Sequence, residues 1–146
     1  MAQRTSVYSN NDFAQAVDPA VYTATETSAA IDLQGFNEVA LLANVGASGD
    51  TLSGSLYWEF AVQESDDDVS YTAVVDADLE NSVTGTTTGT FAVLNDPAEA
   101  GQRYITAYKG SKRYIKVVAT GTGTIVSGLA FSVSAVKGRP AYAPVQ

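Results

Sequence analysis

Apolar and polar residues alternate from Leu56 to Gln63: Leu56, Trp58, Phe60 and Val62 fall on one side of an extended chain, and Tyr57, Glu59, Ala61 and Gln63 on the other. A period of two marks a half-buried strand. The stretch Leu56–Val75 breaks at an acidic turn and then resumes, which predicts a β-hairpin with its tip at Asp66, Asp67 and Asp68. The same grammar predicts strands at Ala30–Leu33, Phe91–Leu94, Arg103–Tyr108, Lys112–Ala119 and Leu129–Val136, with Val39–Val45 apolar enough to be central in a sheet. In the last long strand Leu129, Phe131, Val133 and Ala135 alternate with Ala130, Ser132, Ser134 and Val136, making it the best-matched partner of the Trp58 strand.

Turn chemistry separates these runs. Gln34-Gly35-Phe36-Asn37, Gly46–Gly54 with Asp50 near its middle, Asn95-Asp96-Pro97, Lys109-Gly110-Ser111 and Gly121-Thr122-Gly123-Thr124 all carry residues suited to turn backbone angles. Glu80–Thr90 is a low-complexity Thr/Gly segment with little to bury, read as a surface loop or an extended β-arm. About eight short strands and no helical periodicity predict an all-β fold, an antiparallel β-sandwich with jelly-roll-like character and negligible helix. The domain spans residues 30–140. Residues 1–29 are polar, Ala/Thr-rich and interrupted by Asp18-Pro19, so they read as an N-terminal arm, held by a neighbouring subunit or packed as an edge strand on its own sheet. Residues 141–146 form an extended tail, with Pro140 and Pro144 opposing helix.

Composition narrows the chemistry. A chain of 146 residues is enough for one domain that buries roughly two-thirds of its unfolded surface without staples. There is no Cys and no His, which removes disulfides, thiolate metal sites and the usual general base, leaving carboxylates, Lys and Tyr for proton transfer. No apolar run approaches the ~20 residues of a membrane span, and the opening lacks the apolar core of a signal peptide. Synthesis in the cytoplasm without export is expected. The net charge of −8 argues against nucleic acid as a partner. Its distribution is uneven: residues 1–100 carry −15 and residues 101–146 carry +7. Two explanations fit, charge balance within one fold, or an acidic edge of one subunit steering the basic edge of the next.

Specific constellations are weak. Asp66, Asp67 and Asp68 are the densest carboxylates, and oxygen-rich turns bind Ca²⁺, but the ligand order of an EF-hand is missing and Asp is an ordinary turn residue. Glu59 with Glu64 or Asp76 is a conceivable glycosidase pair, although Glu59 is expected to be exposed on the polar face of its strand. Tyr57, Trp58, Tyr71, Tyr104, Tyr108 and Tyr114 are candidates for stacking on sugar rings, with Trp58 better explained as core. Lys109, Lys112, Arg113 and Lys116 cluster around one hairpin and suit an acidic partner. Gly121-Thr122-Gly123 is no phosphate loop, because no helix start follows it. The interface candidates are therefore Asp66, Asp67, Asp68, Lys109, Lys112, Arg113 and Lys116.

Four segments carry a resemblance: Ile31-Asp32-Leu33-Gln34-Gly35-Phe36, Trp58-Glu59-Phe60-Ala61-Val62-Gln63-Glu64-Ser65-Asp66-Asp67, Tyr108-Lys109-Gly110-Ser111-Lys112-Arg113-Tyr114, and Gly138-Arg139-Pro140. In this order they resemble small head accessory proteins of tailed bacteriophages and gene transfer agents. The resemblance implies a β-sandwich structural virion protein, either a decoration (cement) protein on the capsid lattice or the base of a head spike at a vertex. It implies the major capsid protein as partner, a homo-oligomer such as a trimer or pentamer, and a possible head fibre or spike attached to it. It implies no catalytic residue, no cofactor and no membrane, and the chain is not expected to be an enzyme. The rival expectation is a carbohydrate-binding β-sandwich module for host attachment.

Overall fold

Two antiparallel sheets lie face to face. The computed structural model describes residues 6–141. Its strands are β1 (Asp12–Tyr22), β2 (Glu26–Thr27), β3 (Ile31–Asp32), β4 (Phe36–Ser48), β5 (Tyr57–Ser65), β6 (Thr72–Ala73), β7 (Thr90–Leu94), β8 (Arg103–Tyr108), β9 (Tyr114–Thr122) and β10 (Leu129–Pro140). Helix among the described residues is one turn, α1 (Val7–Asn10), and two short 3-10 turns at Asp76–Asp78 and Pro97–Glu99. The first sheet has the order β1-β10-β4-β8. In the second, β9 and β5 form the centre, with β2 and β3 on the outer edge of β9 and β6 and β7 on the outer edge of β5.

Taken as interrupted strands, β2 with β3 and β6 with β7 reduce the count to eight, four in each sheet. The first and last strands are neighbours, and most connections cross from one sheet to the other. That is the double Greek key winding of a jelly roll. The winding has two ends. At one, the near end, lie the turns around residues 33–36, 66–70 and 109–113 and the end of β10; at the other lie the Gly46–Gly54 loop and the turns after β7 and β9.

The N-terminal segment departs from the sequence reading. Residues 12–22 lack visible period-two alternation, yet they form β1, hydrogen-bonded along β10 of the same chain. Register shifts between Gln15 and Val17 and between Val17 and Ala20 break the alternation, so that Ala16 and Val17 are both buried. These β-bulges, with Pro19 beside the second, hid the strand. The edge-strand alternative is thus the one observed for residues 12–22. The tail beyond Ala141, including Pro144, and residues 1–5 lie outside the described residues.

Alternation elsewhere translates directly into burial. Leu41, Ala43, Leu129, Val133, Ala135, Trp58, Phe60, Val62, Ile115, Val117 and Ala119 all lie inside. The strands of Trp58 and Phe131 are not sheet neighbours: they face one another across the core. Phe131 packs edge-on to Trp58 (5.6 Å between ring centroids) and Phe60 (5.0 Å) and tilted against Tyr22 (4.6 Å). Such offset contacts suit the ring quadrupole better than a face-to-face sandwich.

The hairpin predicted at Leu56–Val75 has a short second limb. β6 pairs with β5 at Gln63 and Glu64, while β7 occupies the β5 edge from Trp58 to Ala61. Glu59, expected to be exposed, is buried because the Thr/Gly segment folds over it: Thr86 donates both its backbone N–H (2.8 Å) and its hydroxyl to the Glu59 carboxylate. Asp76 accepts the Gly89 N–H (2.8 Å) and Val83 donates its N–H to Thr90 O (2.9 Å), so the segment is tied down along its length. A buried carboxylate is tolerable when its oxygens are hydrogen-bonded. Replacing Trp58 by Ala is expected to cost about 3–5 kcal/mol, the range for emptying a large aromatic site, as measured by urea unfolding.

Candidate functional site

The near end of the sandwich collects the polar residues singled out in the sequence. Ser65 and Tyr114 are paired on the adjacent strands β5 and β9, so the turns that follow β5 and precede β9 leave the sandwich side by side. One is the acidic turn, Asp66 to Ser70; the other is the basic connection, Lys109 to Arg113.

Each turn is built from its own side chains. Asp67 accepts the Ser65 hydroxyl (2.8 Å) and the backbone N–H groups of Val69 (2.9 Å) and Ser70 (2.8 Å). Those backbone donors, Ser70 first, hold the Asp67 carboxyl at about 2. Asp68 adopts a positive φ of 59° and accepts the Tyr71 hydroxyl at 2.5 Å. Asp66 meets Lys112 at 2.5 Å. The three aspartates are thus bonded to three different groups, and among the described residues no cluster of three or more Asp or Glu has the arrangement of a cation site.

The basic turn rests on Tyr108, the last residue of β8, which is buried. Its hydroxyl donates to Glu64 Oε2 (2.5 Å) on β5 and accepts the Lys112 N–H (3.0 Å). Burial raises the Tyr108 pKa, and the Glu64 carboxylate adds to the rise. The chain must pass directly over this ring, and it does so at Gly110: a Cβ there would overlap the Tyr108 hydroxyl and ring carbons. A glycine at this turn is therefore a matter of space. The sequence placed Tyr108 among possible sugar-stacking aromatics and missed its structural part; a Tyr two residues before a turn Gly is the signal available.

Ion pairs join this end together. Arg113 grips Asp32 with two bonds (Nε to Oδ1 3.0 Å, Nη2 to Oδ2 2.8 Å), and its guanidinium holds the Asp32 carboxyl at about 2. Lys137 pairs with Asp12 (2.6 Å) and lies over the Phe36 ring, and Arg139 pairs with Glu38 (3.0 Å). With Asp66–Lys112 these make four ion pairs among the described residues, each linking an early acid to a late base within one chain. Of the two explanations for the uneven charge, balance within one fold is the one observed for Asp66 and Lys112. The physical reason is the shared departure point of the two turns.

Lys116 sits on the outer face of β9 with its ammonium 4.1 Å from the Tyr71 ring centroid, a cation–π contact. Lys109 is exposed, its backbone N–H bonded to Asp78 O (2.7 Å). Between the turns lies a cleft of about 480 Å³ bounded by Gln34, Phe36, Glu38, Tyr108, Ser111 and Arg113. The tyrosines do not assemble into one stacking platform: Tyr108 is buried, Tyr104 donates to Glu99 O (2.9 Å), and Tyr57 lies at the opposite end of β5 from Tyr71 and Tyr114.

No protein-family model matches the chain, and no curated protein matches it. Among solved structures, the VP2 subviral particle of infectious bursal disease virus is similar at 12% identity, with a TM-score of 0.30 over 89% of this chain and 42% of that one. The chain therefore spans less than half the length of that protein. A likeness this distant carries no argument about function.

Three expectations follow from the near end. Tyr108→Phe leaves Glu64 and the Lys112 N–H without their partner and should cost about 1–3 kcal/mol, whereas Gly110→Ala should destabilise wild type yet add little in a Tyr108→Ala background, where the ring it strikes is gone. Denaturant titrations of the single and double variants measure both. Asp32 and Asp67 have folded values below the ordinary 3.8, so their stabilising effect is complete above that value and is lost as pH falls towards 2. Thermal midpoints should drop across that window, less steeply in Asp32→Asn/Asp67→Asn.

Proposed function

We propose that the chain is a structural virion protein of a tailed phage or phage-like particle, seated on the capsid surface by the near end of its sandwich as a decoration protein or head-spike base. One observation carries the reading. The four segments through which the chain resembles head accessory proteins are scattered from Ile31 to Pro140, and each contributes to the near end.

Core packing accounts for Trp58, Phe60 and Val62 in that pattern. It does not account for Gln34, Asp66, Ser111, Lys112 and Arg113, which lie in turns and fill no core. A function at the surface of this end accounts for the second set. Hydrogen bonds and ion pairs set the turns before any partner arrives, which lowers the ordering cost of binding. Lys109, together with the outward sides of Asp66 and Asp68, then offers mixed charge to a capsid protein. Mixed charge of this kind sets register and encounter rate more than raw affinity.

The test uses particles of the genetic element that encodes the chain. Particles washed at high salt should retain the protein in many copies, counted by quantitative mass spectrometry against the major capsid protein, and Lys109→Glu, at an exposed side chain outside the ion pairs of the described residues, should lower that occupancy while leaving the thermal midpoint nearly unchanged. Absence of the wild-type protein from washed particles would overturn the reading.

A further inference from the structure

Away from its near-end margin, which Glu38, Glu80 and Lys109 border, the outer face of the β1-β10-β4-β8 sheet carries few of the charges that usually cover a solvated sheet face. Its rows run straight across the four strands. At one level stand Phe13, Val136, Ala40 and Ala107; at the next Gln15, Ser134, Leu42 and Ile105. At the third, Asp18 lies in the bulge beside Ser132, followed by Asn44 and Arg103. Within these rows the charges are Asp18 at one margin and Arg103 at the other. Phe13 and Ile105 are each 54% exposed and Val21 60%. By contrast, the outer face of β5 and β9 carries Glu59, Gln63, Lys116 and Tyr114, with the Thr/Gly segment folded across Glu59.

We propose that this face binds a second copy of the chain about a two-fold axis parallel to the strands, running between β10 and β4. Such an axis carries β1 onto β8 of the other copy while each row keeps its level. Large residues then meet small ones: Phe13 faces Ala107, Val136 faces Ala40, and Leu42 faces Ser134. The charged margin is complementary in the same register. Asp18, held on this face by the Gln15 amide (2.5 Å), comes opposite Arg103, which forms no ion pair among the described residues. Ser132 and Asn44 come opposite one another as a hydrogen-bonding pair.

The alternative axis, perpendicular to the strands, sets β8 on β8 and β1 on β1 and separates Asp18 from Arg103. With strands about 4.8 Å apart, about nine residues each from β1, β10 and β4 and the six of β8 give each copy a face of roughly 500 Å². The pair buries roughly 1,000 Å², the least expected of a specific interface. An uncharged centre with a charged margin is the anatomy of such interfaces. The pairing differs from the three-fold or five-fold closure considered from the sequence, and it goes beyond the virion reading without depending on it.

Sedimentation equilibrium on the full chain tests the register. Wild type should sediment at twice the chain mass in the micromolar range. Asp18→Arg alone and Arg103→Asp alone each set like charges together and should weaken the dimer about tenfold or more. An equimolar mixture of the two variants satisfies both contacts and should recover the dimer. Ser134→Lys, outward in the middle of the face, should abolish pairing without lowering the monomer's thermal midpoint, and it stands in if a margin variant fails to fold. A wild type that stays monomeric, or a mixture no more dimeric than its separate components, overturns the proposal. A monomeric wild type whose Ser134→Lys variant is lost from particles would assign the face to the capsid, and would equally overturn it.

Discussion

Phe131 is where both sheets and the first strand come together. Its ring, projecting from β10, meets Trp58 and Phe60 from the opposite sheet and Tyr22 from the end of β1. β10 lies between β1 and β4, so a shift of this ring is felt in two ladders and across the core at once. Protein interiors pack at crystal-like density and leave no slack to absorb such a shift. The winding adds a kinetic consequence. Because β1 pairs with β10, the first sheet is complete only when both ends of the domain have been brought together, and topologies dominated by distant pairings fold slowly.

The uneven charge along the sequence becomes a stitching pattern in three dimensions. Acidic strands and turns from the first two-thirds interleave with basic ones from the last third, and the four observed pairs cross that divide. Three are well exposed and add little to stability singly, since exposed pairs contribute about 0–1 kcal/mol. Lys137, with its side chain 13% exposed, is the more deeply held. What the pairs achieve together is positional: Asp66–Lys112 joins the two turns, Arg113–Asp32 ties the basic one to β3, and the other two cross between neighbouring strands at the same end.

Much of this was legible in the alternation. Leu129–Val136 read directly as a core strand because a period of two survives wherever a ladder is regular, and Val39–Val45 because it is mostly apolar. Asp12–Tyr22 did not, because two bulges bring Ala16 and Val17 inward together and Pro19 imitates a breaker. Glu59 looked exposed because its cover, Thr86, lies 27 residues away in a segment whose composition suggested no contacts. At the candidate site, Asp66–Asp68 and Lys109–Ser111 were recognisable as turns, while Lys112 and Arg113 read as the start of a strand that begins at Tyr114, and the meeting of the two turns within one chain depends on strand order. Tyr108 was visible as an aromatic, while its role as a support depends on Glu64, 44 positions earlier. Local pattern reports the face a residue occupies; partners across the fold require the topology.

The irregular first strand has a further meaning for how copies of this chain can gather. An open strand edge is a template for another strand, and a straight one invites indefinite lateral growth. β1 is that edge here, and its two bulges and Pro19 deny a newcomer any long run of evenly spaced hydrogen-bonding groups. The opposite edge, β8, is occupied in part by residues 79–81, which bond to Tyr108, Ala107 and Ile105. With both of its margins spoiled, the first sheet offers no long regular edge for strand addition, and copies that meet through it are left its outer face, where shape sets a finite number of neighbours.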